Sequence, residues 1–192
     1  MSRVEPARPG PFARFAYWMA KRDYGKLPEP LEVTAHHPGI MRGYCMLEWE
    51  TGRASTLPDR LKDLAGTKAA ALVGCEFCID IASAISRKSG VTTEQLADLP
   101  RYRESDHFDE TEKLVLDYAV AMTSTPAYVP DELFEALRAR FSEKQLVELT
   151  SAIAIENYRA RFNWAFGIGS QGFAAGGACA VPERPAEVGA TA

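Results

Sequence analysis

Residues 69–82, with the sequence AAALVGCEFCIDIA, decide how the whole chain is interpreted. They place Cys75 and Cys78 three residues apart, directly after Gly74, where one apolar run stops and another begins. If both cysteines lie in the first turn of a second helix, their sulfurs share a face, because positions i and i+3 are neighbours. The partial positive charge of a helix N-terminus then favours thiolate over thiol. This arrangement predicts redox chemistry, since close, acidified thiols cycle between dithiol and disulfide.

Two other interpretations of the Cys-x-x-Cys pair remain open on the residues alone. Structural zinc needs four ligands, usually from two such pairs or from one pair and two spaced histidines. Neither the other two cysteines nor the three histidines offer that spacing. An inert pair is the second alternative, because a buried cysteine behaves as a small hydrophobic side chain. A thioredoxin-like motif is set aside, since it belongs beside a β-α-β pattern and the surroundings here are helical.

The composition is that of an ordinary globular protein, with 46% hydrophobic and 25% charged residues among 192. The net charge of −4 argues against a nucleic-acid-binding protein, which normally carries a basic excess. No run approaches the about 20 apolar residues that cross a bilayer, and no clean cleavage site follows the apolar residues near the N-terminus. Four cysteines are few for a secreted disulfide scaffold. We therefore expect a cytoplasmic protein.

Helical periodicity predicts an all-α fold. Apolar positions recur at helical spacing along most of the chain, and no stretch shows the alternation typical of a strand. Capping boxes that begin at Thr92 and Ser142 indicate two helix starts, and Asp109 begins a third helix. The longest predicted helix spans about residues 143–162.

We expect a single helical domain with two flanking segments. Residues 1–25 comprise an N-terminal arm and an aromatic amphipathic helix, residues 26–173 form the helical domain, and residues 174–192 are expected to be a flexible tail. The aromatic stripe within residues 12–22 has two interpretations. It covers the core of this domain, or it packs on another subunit, because aromatic residues are favoured at interfaces.

The segment around the cysteines resembles the carboxymuconolactone decarboxylase superfamily, and specifically its alkylhydroperoxidase D-like branch. The resemblance rests on Asp63, eleven intervening residues and then CEFC at residues 75–78, within KAAALVGCEFCIDIASAISRKSG. It covers about residues 30–170. It implies a single all-α domain that assembles into homo-oligomers, commonly dimers, trimers or hexamers.

The resemblance also implies a reaction. In the redox branch the second cysteine of the motif attacks the peroxide and becomes a sulfenic acid, which the first cysteine resolves to a disulfide. Carried over, Cys78 is the peroxidatic cysteine and Cys75 the resolving one. The branch has a glutamate twelve residues before the first cysteine and a histidine four residues after the second, which form a proton relay. This chain has Asp63 and Ala82 at those positions.

Ala82 breaks the implied relay, because alanine carries no proton. Asp63 remains the expected carboxylate helper of the thiols, on a shorter stem than glutamate. Peroxidase activity must then be slower or use another base. The other candidate bases are Glu76, Asp80, His107 and Glu156.

The expected function is that of a thiol-dependent peroxidase or disulfide oxidoreductase that uses the Cys75/Cys78 dithiol. Its oxidant is a hydroperoxide or another small molecule. No haem, flavin or nucleotide motif is visible, so no cofactor is expected, and reducing equivalents must come from a partner dithiol protein or a small thiol. A metal ion, a nucleic acid and a membrane are not expected as partners.

Two alternative functions remain. One is a carboxymuconolactone decarboxylase-like lyase on a small anionic lactone, for which Arg159 and Arg161 offer cations. Cations at the end of a long helix more often complement its dipole, however. The other alternative is a non-catalytic, redox-sensing oligomer, which the missing histidine favours. Cys45 and Cys179 are expected to be a buried thiol and a tail thiol.

Overall fold

A computed structural model describes residues 2–183 of the chain. In that range the chain forms nine α-helices and a short 3₁₀ turn, with no β-strand, so the predicted all-α fold is confirmed. The helices are α1 (Pro11–Tyr24), α2 (Glu29–Thr34), α3 (Pro38–Arg53), α4 (Asp59–Val73), α5 (Glu76–Lys88), α6 (Thr93–Asp98), α7 (Glu110–Thr123), α8 (Asp131–Arg138) and α9 (Glu143–Phe166). Among the described residues, no helix is both long enough and apolar enough to cross a membrane.

Side-chain caps fix the starts of three helices where the sequence predicts them. Thr92 begins α6 and Ser142 begins α9, each in a reciprocal capping box with the glutamine three residues later. Asp109 forms the same arrangement with Glu112 at the start of α7. Each box satisfies two backbone N–H groups near the helix start, so these boundaries follow from local chemistry.

Helix α4 lies at the centre of the domain, in contact with α5, α7 and α9. Small side chains allow this close approach, because Ala65, Ala69, Ala70 and Ala71 are all completely buried. Ala65 and Ala69 belong to an apolar cluster with α7, α8 and α9. Ala70 and Ala71 belong to the cluster that contains both cysteines of the motif. One helix therefore joins the thiol region to the rest of the core.

A buried carboxylate ties α9 to the segment that enters α4. Glu148 on α9 accepts the backbone N–H groups of Thr56 and Leu57 at 3.0 and 3.3 Å and pairs with the Lys62 ammonium at 2.8 Å. Burial alone would raise the pKa of Glu148, but Lys62 and Thr56 outweigh it and lower that pKa from its usual 4.5 to about 2. The carboxylate therefore stabilises the fold in its ionised form.

Residues 174–183, predicted as the start of a flexible tail, pack against the helices instead. Ala180 donates its backbone N–H to Ser83 Oγ at 3.0 Å. Glu183 forms an ion pair with the buried Lys68 ammonium at 2.6 Å. The tail prediction is corrected for this stretch, because composition alone does not reveal the polar side chains of α4 and α5 that bind it. The rest of the predicted tail lies outside the described residues.

Helices α1 and α3 present large apolar side chains to solvent. Phe15 and Trp18 on α1 are 57% and 59% exposed, and Met46 and Trp49 on α3 are 59% and 48% exposed. The opposite face of α1 packs against α3 through Ala13. Tyr17 of the aromatic stripe packs against the cluster around Ala13 and Met41, whereas Phe15 and Trp18 leave the core uncovered. The packing of these two side chains on another subunit stays a prediction.

Glu148→Gln removes the buried charge on α9 and is expected to lower the free energy of unfolding at neutral pH by about 1–3 kcal/mol. The folded-state pKa of Glu148, about 2, lies below its usual 4.5, so its stabilisation is present above pH 4.5 and is lost as the pH falls through 2. Urea unfolding of both proteins across this pH range measures the difference, which should shrink on acidification. A difference that stays constant would contradict a role for the ionised carboxylate.

Candidate active site

The two cysteines lie at the turn between α4 and α5. Gly74 ends α4 in a left-handed conformation, with φ +73°, which glycine adopts without strain. Cys75 is the N-cap of α5, and its Sγ accepts the backbone N–H of Cys78 at 3.3 Å. A sulfur thus takes the place of the side-chain oxygen that usually caps a helix.

The two thiols are buried and in contact. Cys75 and Cys78 are 2% and 1% exposed. Their sulfurs are 2.8 Å apart, longer than the about 2.05 Å of a disulfide bond. The hydrogen-bond contact with the Cys78 sulfur, together with the Cys78 backbone N–H, lowers the pKa of Cys75 although burial opposes it. The same thiol contact and burial raise the pKa of Cys78. The pair therefore loses one proton readily and holds the other between the two sulfurs.

Asn163 of α9 completes the polar surroundings of the thiols. Its Nδ2 donates to Cys78 Sγ at 3.3 Å, and this donation favours ionisation of the pair. The side chain is 2% exposed, and its Oδ1 has no hydrogen-bond partner among the described residues. Nothing local in the sequence marks Asn163 as a site residue. The one available signal is its spacing of seven residues from Glu156, which places two polar side chains on one face of a largely apolar helix.

Glu156 lies two helical turns before Asn163 on that face of α9. Its side chain is 5% exposed, and Oε2 accepts a hydrogen bond from Arg159 at 2.9 Å. Arg159 also forms a two-point ion pair with Glu48 of α3, at 2.8 and 2.5 Å. Glu156 Oε1 has no partner within residues 2–183. The charge of Glu156 acts against ionisation of both thiols, so the carboxylate lies within electrostatic range of the sulfurs.

Asp63, the predicted carboxylate helper, lies near the other end of α5. The tight turn makes α4 and α5 antiparallel, so Asp63 stands beside Ser86, whose Oγ donates to the Asp63 carbonyl at 3.3 Å. Burial raises the pKa of the Asp63 carboxyl, and a hydrogen bond from Ser89 opposes this. Ser86 follows Cys78 by eight residues, or about 12 Å along a helix. The causes that shift the pKa of the Asp63 carboxyl include Ser89, Lys62 and Arg159 but neither cysteine, and its role as a helper of the thiols stays a prediction.

Three of the four other candidate bases are bound elsewhere or exposed. The Asp80 carboxylate accepts four hydrogen bonds from residues 170–174, at 2.7 to 3.0 Å. Burial alone would raise the pKa of Asp80, but these donors lower it. His107 is half exposed and contacts Asp98 at 2.9 Å, and Glu76 is exposed. The fourth candidate is Glu156 on α9, whose charge acts on both thiols.

The two cations considered for a lactone carboxylate are hydrogen-bonded within the protein. Arg159 pairs with Glu48 and Glu156, and Arg161 contacts the Asn157 side chain. In the part of the chain that the structure describes, no three His, Cys, Asp or Glu residues are grouped so as to hold a metal ion.

An open groove of about 480 Å³ lies between the ends of α4, α7 and α9, and its lining does not include either cysteine. Val73, in its wall, is two residues from Cys75, and Trp164 follows Asn163 directly. Trp164 Nε1 donates to the Val73 carbonyl at 3.0 Å, which joins the two walls. The groove is lined by Leu72, Val73, Thr123, Ser124, Thr125, Arg161 and Trp164.

Residues 38–121 match the model of the carboxymuconolactone decarboxylase family. The chain is also 34% identical over 169 residues to the uncharacterised protein YnjA of Escherichia coli, which covers 87% of this chain and 90% of that protein. The chain belongs to the carboxymuconolactone decarboxylase superfamily. The expected family is thereby confirmed.

Two solved structures share the helical fold of this chain. The alkylhydroperoxidase AhpD core of a peroxidase-related protein from Ralstonia eutropha is 18% identical, with a TM-score of 0.78 over 90% of this chain and 94% of that one. The debrominase Bmp8 is 22% identical, with a TM-score of 0.79 over 89% of this chain and 93% of that one. At these identities the likeness shows the fold alone.

Asn163→Leu keeps the side-chain volume and removes the donor to Cys78. The thiolate then loses a hydrogen bond to a charged group, worth about 1.5 kcal/mol, so alkylation of the pair by iodoacetamide at neutral pH should slow about tenfold. Absorbance at 240 nm against pH should show the ionisation shifted to higher pH. The measurement uses a protein without Cys45 and Cys179, so that only the motif thiols contribute.

Asn157→Leu is the matched control for this experiment. Asn157 lies on the same helix, and its amide donates to Thr123 and to the Ile153 carbonyl rather than to a sulfur. The titration of the thiols should be unaffected by its loss. If Asn163→Leu also left the titration unchanged, the contact with Cys78 would have no influence on the thiolate.

Proposed function

We propose that this protein is a thiol-dependent peroxidase or disulfide oxidoreductase of the alkylhydroperoxidase type, working through Cys75 and Cys78. The observation that carries this proposal is the pair of buried sulfurs 2.8 Å apart at the N-terminus of α5. The helix N-terminus favours a thiolate. A second thiol in contact allows the disulfide to close with little movement of the backbone. Membership of the superfamily supports the same chemistry.

The proposed oxidation consumes two thiols and one hydroperoxide. The Cys78 thiolate attacks one peroxide oxygen, the O–O bond breaks, and the leaving alkoxide takes up a proton to give an alcohol. Cys78 is then a sulfenic acid, and the Cys75 sulfur attacks it to form the disulfide and release water. A partner dithiol protein or a small thiol reduces this disulfide by exchange.

The role of each sulfur follows from the shared proton. Their contact lowers the pKa of Cys75 and raises the pKa of Cys78, so Cys75 is the better thiolate at rest and the shared proton stays on Cys78. Transfer of that proton across the 2.8 Å contact makes Cys78 the nucleophile and Cys75 the protonated partner. The groove beside Val73 and Trp164 is the proposed entry for the oxidant, since it combines apolar walls with hydroxyl groups and one cation.

The alternatives find less support in this site. Arg159 is already paired with two carboxylates, so it is a poor receptor for an anionic lactone. A redox sensor would use the same dithiol and differ only in the absence of turnover. Measurements of turnover therefore distinguish the peroxidase from the redox sensor, whereas the geometry of the site does not.

Reduced protein treated with one equivalent of an organic hydroperoxide is expected to lose two thiols within seconds. Peptide mapping should locate a Cys75–Cys78 disulfide. Cys78→Ser should abolish peroxide turnover, because the nucleophile is gone, yet leave any lactone decarboxylation nearly intact. Cys75→Ser should stop at a sulfenic acid on Cys78, trapped by dimedone.

Cys45→Ser and Cys179→Ser are the controls, since these thiols lie outside the motif and should not affect turnover. Thiols that react no faster than free cysteine would refute the peroxidase. A single oxidation without turnover in excess dithiothreitol would favour the redox sensor. Sulfenic acid trapped on Cys75 in the Cys78→Ser protein would reverse the roles of the two sulfurs.

We also propose that the aromatic stripe of α1 joins copies of this chain. Phe15 and Trp18 are 57% and 59% exposed, and such residues are enriched at interfaces. Light scattering should give the mass of a dimer, trimer or hexamer, and the double change Phe15→Glu/Trp18→Glu should lower it. Tyr128→Glu, at a 72% exposed loop position, should leave the mass unchanged. A monomeric parent protein would contradict this assembly.

A further inference from the structure

Two buried acceptor atoms near the thiol pair have no hydrogen-bond donor among residues 2–183. They are Asn163 Oδ1 and Glu156 Oε1, on side chains that are 2% and 5% exposed. Both residues lie on one face of α9, two turns or about 10 Å apart along the axis. Buried polar atoms in proteins are almost always satisfied, commonly by ordered water. The two oxygens therefore mark a polar site that runs from the sulfurs along α9.

We propose that Glu156 is the proton acceptor of the Cys75–Cys78 pair, reached from the sulfurs through water held by these two oxygens. This inference rests on the proposed thiol chemistry. It assigns to α9 the proton transfer for which motif position 82 offers only a methyl group. Before the attack, one thiol proton passes to the Glu156 carboxylate. After the O–O bond breaks, the carboxyl group returns that proton to the leaving alkoxide, and the carboxylate is restored.

An ion-pair network holds the carboxylate in place. Arg159 binds only Oε2 of Glu156, at 2.9 Å, which leaves Oε1 available for the proton. Arg159 is itself fixed by Glu48 at 2.8 and 2.5 Å. The titratable and charged groups around this network are Tyr24 of α1, Tyr44, Cys45 and Glu48 of α3, Asp63 of α4, Cys75 and Cys78 at the start of α5, and Arg159 of α9.

A purely electrostatic role and a proton-transfer role predict opposite effects. The negative charge of Glu156 opposes ionisation of the thiols. If that were its whole effect, a neutral side chain would raise the thiolate fraction and speed the reaction with peroxide. If Glu156 accepts the proton, its loss slows the reaction although more thiolate is present.

Glu156→Gln separates these roles, because glutamine keeps the size and an acceptor for Arg159. We expect the half-ionisation pH of the thiols, followed at 240 nm, to fall. The rate constant for disulfide formation with an organic hydroperoxide at neutral pH should nevertheless fall by about 100-fold. Glu148→Gln is the matched control: it removes another buried carboxylate from α9, one that pairs with Lys62, and should leave rate and titration unchanged. An unchanged rate in Glu156→Gln, or one that rises with the thiolate fraction, overturns the inference.

A second reaction distinguishes failure of this inference from failure of the proposed peroxidase. The Cys75–Cys78 disulfide, formed with diamide, is reduced by dithiothreitol, and the leaving thiolate must gain a proton. Slower reduction in Glu156→Gln supports the inference even if the parent protein ignores peroxide. Normal rates of both reactions, in a parent protein that reduces peroxide, overturn the inference and leave the peroxidase intact. If Glu156→Gln does not fold by circular dichroism, Glu156→Met replaces it, because methionine has a similar size and cannot accept the proton, and unchanged rates there overturn the inference equally.

Discussion

The left-handed turn at Gly74 is the constraint on which the rest of the site depends. Its N–H bonds to the carbonyls of Ala70 and Ala71 at 2.9 and 3.1 Å and closes α4, so that the chain reverses before Glu76. A side chain at this position would cost about 1–2 kcal/mol in a left-handed conformation. Only Gly74 and Cys75 lie between α4 and α5, so Cys75 takes the N-cap position of α5. The backbone conformation at Gly74 therefore determines where the two thiols lie.

Some groups around the two sulfurs favour ionisation of the thiols, and others oppose it. The helix N-terminus, the backbone N–H of Cys78 and the amide of Asn163 favour an anion, whereas burial and the charge of Glu156 oppose it. Such a balance retains one mobile proton at the pair instead of fixing a permanent thiolate. Relatives of the alkylhydroperoxidase type are expected to carry a histidine on α5 for this purpose. Here Asn163 of α9, a helix that packs against both α4 and α5, donates a hydrogen bond to Cys78.

Local signals in the sequence were sufficient for much of the fold. The glycine before the cysteines, their three-residue spacing and the caps at Thr92 and Ser142 act within one turn of chain, and the structure shows each of them. Asp63 could not be placed in this way. The distance between Asp63 and the thiols depends on how α4 and α5 pack against each other after the turn. The spacing of residues along the chain does not determine that packing. Asn163 donates a hydrogen bond to Cys78, yet 85 positions separate the two residues in the chain.

The buried ion pair between Lys68 and Glu183 has a consequence for how the chain is made. Lys68 is 2% exposed, and burial lowers the pKa of its ammonium. Apart from Glu183, its Nζ donates to the carbonyl of Leu99 at 3.0 Å. The partner carboxylate lies 115 residues later, so α4 leaves the ribosome long before that charge is compensated. Since an unpaired buried charge costs about 3–5 kcal/mol, the centre of the domain cannot reach its final stability until Glu183 has been synthesised and has joined the fold.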